Sequence, residues 1–549
     1  MEVRARDGEE EAEAEAEPLS AGRRARWVAL AFVPSSFMLA VTTYITTEIA
    51  AVPLLWIIPL TIYLLSFIVV FARKPFLLTG LAGHLQVVVV LELVFLVLLK
   101  ATEPVLLVVA TILVALFLSA LVCHARLADD RPPSSQLTEF YLWVALGGAL
   151  GGVFNAVIAP FVFDSVVEYP LAIVLACLLR PPRPSAPAGG PPAWRERSGP
   201  PAWRERSGPL DVLVPAGIGV ATLVLIGLGR ALGLSPVTAR GVAFAIALLA
   251  CAAVYSRPVR FGLGLGAVLL AGALASGTDR QTLYADRTFF GVLRVDRDDD
   301  RRLHRLVHGN TTHGAQSLEP ARRLEPLTYY DRSGPVGDLF RTLPVASSAR
   351  EVAVIGLGTG TLACYGRPGQ HWTFYEIDPA VEDIARDPGL FTYLRDCPPV
   401  SDVRLGDARL KIADEPRGRF GMIFVDAFNS DSLPVHLITR QALALYLDRL
   451  TDDGVVVVNV TNRYLDLRPV IGALARDAGL AGLVRDDLHT TEDDRANAKT
   501  GSMWVALARR PADLGSLAGD ARWKGLPVRK GARPWTDDFS NLVDAIKRG

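Results

Sequence analysis

The chain lacks a charge bias: 57 lysines and arginines face 57 aspartates and glutamates. No global basic field is therefore present to attract nucleic acid. Cysteine is scarce. The five (Cys123, Cys177, Cys251, Cys364 and Cys397) lie far apart, with no CxxC pair and no disulfide-like rhythm. A disulfide scaffold and a cysteine-based metal finger are excluded on that spacing. Three of them fall in apolar runs and read as small buried hydrophobes. The sequence shows no Ser–His–Asp or zinc signature, and no metal is expected. The N-terminus lacks the shape of a signal peptide, and its acidic tract at 9–17 reads as a solvated, disordered tail.

What is abundant is apolar sequence: half of the 549 residues are hydrophobic, and the mean hydropathy is +0.30. Runs approaching the ~20 residues needed to cross a bilayer stand at 27–47, 52–71, 78–99, 105–123, 140–161 and 166–179. Three more follow at 212–228, 237–255 and 261–275. Between the groups lies a Pro/Arg-rich loop with a tandem duplication, PAWRERSGP at 192–200 and 201–209, which reads as a disordered linker. The resulting map has a tail (1–25), a first helix group (26–180), a repeat linker (181–209) and a second helix group (210–277). A β-rich subdomain (278–345) and an α/β domain (346–549) complete it.

Arginine and lysine cluster before the first run and after the second, fourth, sixth and eighth, which places the N-terminus in the cytoplasm. Nine crossings would then put the C-terminal domain outside, where a nucleoside cofactor is not available. The glycine-rich run 261–275 is accordingly expected not to cross fully, leaving the soluble domain of a cell-membrane protein on the cytoplasmic side. Thr42, Thr43, Tyr44, Thr46, Thr47 and Glu48 cluster at the end of the first run, and Glu92 sits inside the third. Threonines of this kind commonly serve helix packing, and Glu48 reads as interfacial. For Glu92 a packing role and a ligand or transport role stand level.

Beyond residue 278 the texture changes. Segments 287–295 (RTFFGVLRV) and 303–308 (LHRLVH) read as strands around an acidic turn, and 309–316 (GNTTHGAQ) as a glycine-punctuated loop. Then Val352–Ala353–Val354–Ile355 feeds a Gly356-x-Gly358-x-Gly360 turn, and a second apolar run ends on Glu376. Glycines let backbone amides approach a ligand, and a strand-end acid accepts from ribose hydroxyls. Further strands are expected at 403–405, 420–425, 455–460 and 503–507, with a helix over 434–450. That alternation predicts a doubly wound parallel sheet with ligands above its carboxyl ends. Glu376, Asp378, Asp407 and Asp426 all stand at such ends. The loop lacks the third glycine of the dinucleotide fingerprint, so an S-adenosyl-type nucleoside fits better than NAD. Asp431 also reads as a helix cap ahead of Pro434, with Ser432 competing for that place. His436 reads as facing a helix partner, and Asp537 and Asp538 admit a reading as solvated charges.

From about residue 287 to 508 the chain resembles the spermidine synthase (polyamine aminopropyltransferase) family, particularly its membrane-fused members. The motifs that carry this are VIGLGTGTLA, YEIDPAV, GDARL, FVDAFNSDSLPVHLITRQALALY, VVNVTNRYLDL and WTDDFSNL. The resemblance implies a multi-span α-helical membrane domain joined to an α/β Rossmann-like (class I methyltransferase-type) domain with a small β-rich N-terminal subdomain. It implies a cofactor site at Gly356, Gly358, Gly360, Glu376, Asp378 and Asp407 for decarboxylated S-adenosylmethionine or S-adenosylmethionine. Asp426 and Asp431 are the implied catalytic pair, and Gln316 and Tyr330 belong to the β-domain's lid. The implied acceptor is a polyamine such as putrescine, a dication that carboxylates must hold and one of them deprotonate. Asp537 and Asp538 are further candidate acids. Partners are the membrane and a second copy, since the family often dimerises, and not nucleic acid. Two positions depart from the family pattern. Thr359 stands where the loop carries an aspartate for the donor's amine, and Asn429 where the catalytic aspartate follows the strand-end acid. Methyl transfer on the same fold, or amine or nucleoside binding without turnover by a transporter or sensor, remain the alternatives.

Overall fold

The computed structural model describes residues 19–49, 54–72, 78–181, 208–276, 281–298, 302–309, 311–427 and 434–547. The chain divides into two compact units at about residue 279.

The first unit is helical. Its helices span Ala21–Tyr44, Ile57–Phe71, Leu78–Leu98, Val105–Asp129, Leu137–Val153, Glu168–Leu178, Leu210–Ala231, Pro236–Ala253 and Pro258–Ser276, with shorter turns between. The first begins at Ala21, inside the stretch expected as tail. Among the described residues, seven helices are long and apolar enough to cross a membrane, and Pro258–Ala275 is one of them. The short apolar helices are Ile57–Phe71 and Glu168–Leu178, and Glu168–Leu178 is only 11 residues long. Small residues set the packing. A Cβ on Gly147 would lie 2.4 Å from the carbonyl oxygen of Val28, and one on Gly151 would lie 2.7 Å from that of Phe32. This glycine pair lets Leu137–Val153 approach the first helix backbone to backbone. Glu92 accepts a 3.4 Å bond from Thr111.

The second unit opens with a four-stranded antiparallel sheet, β1 (Gln281–Thr288), β2 (Gly291–Asp298), β3 (Leu303–His308) and β4 (Thr311–Ser317), in that order. Two expectations change here. Segment 287–295 is two strands, because Phe289–Phe290 form a tight turn and Gly291 takes φ +136°. Segment 309–316 holds β4, whose polar residues are fixed by pairing with β3 and not by a hydrophobic pattern.

The larger sheet contains β5 (Glu351–Ile355), β6 (His371–Glu376), β7 (Val400–Leu405), β8 (Phe420–Val425), β9 (Leu450–Asn459), β10 (Ala481–Asp487), β11 (Ser502–Ala508) and β12 (Trp523–Gly525). Its order is β12-β10-β11-β9-β8-β5-β6-β7. Strands β7, β6, β5, β8 and β9 are parallel, and β11 enters antiparallel between β9 and β10. This is the Rossmann-like, methyltransferase-type sheet. Both faces are covered. Val352, Val354, Trp372, Phe374, Phe424 and Trp504 pack on one side, and Ala353, Ile355, Tyr375, Val425 and Val456 on the other. That explains why the central strands read as unbroken apolar runs.

The helix expected over 434–450 is broken. A short turn at Val435–Leu437 gives way to the helix Arg440–Arg449, because the Thr439 side chain accepts from the amide of Ala442 and restarts it. The cysteines also differ from expectation: Cys364 and Cys397 form a disulfide with Cα atoms 4.9 Å apart, a span suited to one. Thirty-three residues separate them in sequence, and the sheet brings them together.

Candidate functional site

A cavity of about 300 Å³ opens above the carboxyl ends of β5, β6, β7 and β8. Its floor comes from Gly356, Leu357 and Gly358, and its walls from Glu376, Asp378, Gly406, Asp407 and Asp426. The small sheet and the segment after it supply the roof, with Phe290, His308, His313, Tyr329 and Tyr330.

The floor needs glycine for two reasons. Gly356 takes φ +98° and Gly358 takes φ +54°, conformations side chains rarely adopt. A Cβ on Gly356 would also sit 2.5 Å from the carbonyl oxygen of Asp426, and one on Gly358 would sit 3.0 Å from that of His313. The loop is therefore pressed between the base of the site and its roof. Gly360 ends the turn at φ +78°.

Glu376 is 9% exposed and accepts from the amides of Leu357 (3.0 Å), Ile377 (2.8 Å) and Asp378 (3.0 Å). Burial raises its pKa, and those three amides oppose the rise. The carboxylate thus fixes the glycine loop to the end of β6 while lining the cavity. Asp378 caps the helix Pro379–Arg386 and accepts a 2.6 Å bond from Thr288 of the small sheet. Asp407 caps Ala408–Ala413 and lies 3.3 Å from Nε2 of His436. Both acids line the cavity while also working as helix caps.

Asp426 is the most perturbed acid of the site. Its Oδ2 accepts from the Tyr330 hydroxyl at 2.5 Å and its Oδ1 from Asn459 Nδ2 at 2.8 Å. Burial pushes its carboxyl up to about 7, and the two donors pull the other way. Burial also raises Tyr330 well above the ordinary phenol value, so Tyr330 stays a neutral donor. A carboxyl poised near neutrality in a cavity is suited to taking a proton. Asn459 escaped the sequence reading. Its signal was its place at the end of a buried strand, where the acids of the neighbouring strands also stand.

The roof is neutral as well. Burial pushes His313 down to about 3 and lowers His308. Gln316 faces away from this centre, binding Thr392 through its amide oxygen at 2.9 Å and its amide nitrogen at 2.9 Å.

Thr359 is fully buried, its hydroxyl 2.7 Å from that of Thr361. Asp537 is taken up by a two-point pair with Arg409 (2.7 and 2.6 Å) and a 2.8 Å bond from Thr439, which ties down the C-terminal segment. It does not line the cavity, and neither does Asp538. Asp431 and Asn429 lie outside the described residues. Among the described residues no group of three or more His, Cys, Asp or Glu is placed to hold a metal ion.

No family model matches the chain. It is similar to a polyamine aminopropyltransferase of Vibrio vulnificus (strain CMCP6), 33% identical over 135 residues, which are 24% of this chain and 42% of that protein. It is also similar to a probable polyamine aminopropyl transferase of Bifidobacterium longum (strain NCC 2705), 25% identical over 180 residues, 32% of this chain and 37% of that one. The alignments thus span less than half the length of these curated relatives. Among solved structures, a probable spermidine synthase from Corynebacterium glutamicum ATCC 13032 aligns at 17% identity over 48% of this chain and 97% of its own, with a TM-score of 0.35. Spermidine synthase from Thermotoga maritima aligns at 13% identity over 49% and 84%, with a TM-score of 0.31. The similarity to curated aminopropyltransferases, together with a methyltransferase-type sheet in the second unit, supports a spermidine synthase-like family.

Proposed function

We propose that the second unit is a transferase that moves an aminopropyl group from decarboxylated S-adenosylmethionine to an amine such as putrescine, and that the first unit anchors it in the cell membrane. The observation that carries this is Asp426, held near pKa 7 in a cavity that Glu376, Asp407 and the glycine loop also line. Glu376 holds the ribose of the donor and Asp407 its adenine, with Gly356, Gly358 and Gly360 under the nucleoside and Asp378 at its edge. The sulfonium of the donor makes its aminopropyl carbon electrophilic.

In the reaction the amine's lone pair forms the new C–N bond, and the C–S electron pair returns to sulfur as a neutral thioether. The proton lost by the amine passes to Asp426. An ammonium has no lone pair, so this proton transfer sets the pH at which the reaction runs. Asp431 is the second acid of the proposal, an aid in holding the dication. A chain that uses S-adenosyl donors needs this unit on the cytoplasmic face, and a C-terminal reporter fusion reads that directly.

Methyl transfer from S-adenosylmethionine is a second reading, favoured by one feature: Thr359, where a synthase carries its acid for the donor's amine, is buried and uncharged. Purified protein with either donor and putrescine separates the two. Aminopropylated product with methylthioadenosine supports the first, methylated product the second, and donor binding without product would overturn both in favour of a sensor or transporter. Transfer unchanged in Asp426→Asn would remove Asp426 from the mechanism.

A further inference from the structure

The polar cluster at the end of the first membrane helix has no part in the transfer chemistry. Two of its threonines are accounted for locally: Thr42 donates to the carbonyl of Met38 at 2.9 Å, and Thr46 to that of Thr42 at 2.9 Å. Such back-bonding is a helix-packing feature. Tyr44 and Glu48 are different. The helix changes there from α to a π-turn, Ile45–Ile49, a local insertion that recurs at functional sites. Glu48 lies one turn beyond Tyr44.

The Tyr44 ring stacks on Tyr169, with centroids 4.1 Å apart and planes inclined by 15°. Tyr169 is wholly buried, and its hydroxyl has no hydrogen-bond partner among the described residues. Its neighbour Glu168 is 1% exposed inside a unit of apolar helices. A carboxylate buried among apolar side chains is costly to keep charged. A second π-turn, Phe154–Ile158, carries Asn155 against Ser36 of the same first helix at 2.7 Å. The amide oxygen of Asn155 is likewise buried without a partner.

We propose that the membrane unit holds its own binding site for an organic ammonium ion, formed by Tyr44, Glu48, Glu168 and Tyr169. Carboxylates supply the charge, the tyrosine hydroxyl supplies an acceptor for an N–H donor, and the electron-rich rings attract a cation. Tyr44 and Tyr169 meet where two packed helices, Ala21–Tyr44 with its π-turn and Glu168–Leu178, face one another; Glu48 stands one turn beyond Tyr44, and Glu168 precedes Tyr169 in the chain. Ser36 and Asn155 extend the polar surface along the first helix. The site is separate from the cavity of the second unit and does not depend on how that cavity is used.

The test uses the full chain in nanodiscs, carrying Asp426→Asn to remove the transfer base of the second unit. Radiolabelled putrescine is expected to bind this protein saturably. Adding Tyr169→Phe, which keeps the ring and its stacking, or Glu168→Gln is expected to weaken that binding at least tenfold with the unfolding temperature retained. The neutral analogue 1,4-butanediol is expected not to compete. Absence of saturable binding in the Asp426→Asn protein would overturn the proposal. So would unchanged affinity in Tyr169→Phe, or equal competition by the diol. Because the parent lacks the transfer base, the result stands whether or not the second unit transfers an aminopropyl group.

Discussion

Replacing Tyr330 by Phe tests the assignment of Asp426 as base more sharply than removing the acid itself. The substitution deletes one atom, the hydroxyl that donates to Oδ2 at 2.5 Å, and leaves the ring against Trp504 and Tyr329. A hydrogen bond to a charged group contributes about 1.5–3 kcal/mol, and one pKa unit corresponds to about 1.4 kcal/mol. The donor favours the ionised carboxylate, so its loss raises the pKa from about 7 by roughly one to two units. At pH 7 the ionised fraction then falls from about a half to between about a tenth and a hundredth. Activity at pH 7 should drop roughly 5- to 50-fold, and most of it should return by about pH 9.5. The assay is the rate of methylthioadenosine release at saturating donor between pH 6 and 10. An acid limb displaced upward with an unchanged plateau is the expected profile. A uniform loss at all pH, or an acid limb that does not move, would refute the role of Asp426 as the base that Tyr330 tunes.

Asp426 should also weigh on stability. Its folded-state pKa, about 7, lies above the ordinary aspartate value of 3.8, so its contribution is fully present below about pH 4 and lost as pH rises through 7, a difference of about 4 kcal/mol. Asp426→Asn should therefore be inactive yet melt higher than the parent at pH 8, with the gap closing towards pH 4. Gly356→Ala should abolish S-adenosyl binding in calorimetric titration and destabilise the unit by about 1–3 kcal/mol, because its Cβ meets the backbone of Asp426 at 2.5 Å with φ +98°. The double variant Cys364→Ser/Cys397→Ser opens a loop of 33 residues, worth about 3.7 kcal/mol in chain entropy. Urea unfolding with and without reductant should show that loss in the oxidised parent alone.

The parts of the site that were legible in the sequence share one property: their local pattern and their tertiary role agree. Val352–Ile355 read as a strand because both faces of β5 are buried, and Glu376 and Asp426 read as site acids because parallel strands end where ligands bind. The parts that were not legible depend on partners distant in the chain. Strand β4 is polar and glycine-rich, and only its pairing with β3 makes it a strand. Phe289 and Phe290 carry strand propensity yet form a turn, which leaves Phe289 96% exposed. Cys364 and Cys397 meet only once β6 is laid between them in the sheet. Nothing in the spacing of these residues encodes such contacts. The raised pKa of Asp426 is of the same kind, since its donors lie 96 residues before it and 33 after it.

Thr359 shows how packing and chemistry bear on one another at this site. Its hydroxyl is satisfied by Thr361, and Gly314 of β4 lies so close above it that a Cβ there would come within 2.4 Å of Oγ1. An aspartate at 359 would bring a charge into that contact with no cation beside it, and an unpaired buried charge is prohibitively costly. The absent acid and the close-fitting roof are therefore two sides of one arrangement: β4 descends onto the loop because residue 359 is small and neutral. A donor tail ending in an ammonium must then find its carboxylate elsewhere. The acids lining the cavity are Glu376, Asp378, Asp407 and Asp426. Glu376, Asp378 and Asp407 are engaged in holding the loop or capping helices. Among the described residues, Asp426 is left to meet both the tail of a cationic donor and the incoming amine, unless the donor's tail carries its own carboxylate. Donor preference and base strength are thus coupled through a single side chain, and variants at Tyr330 and Asn459 should shift both together.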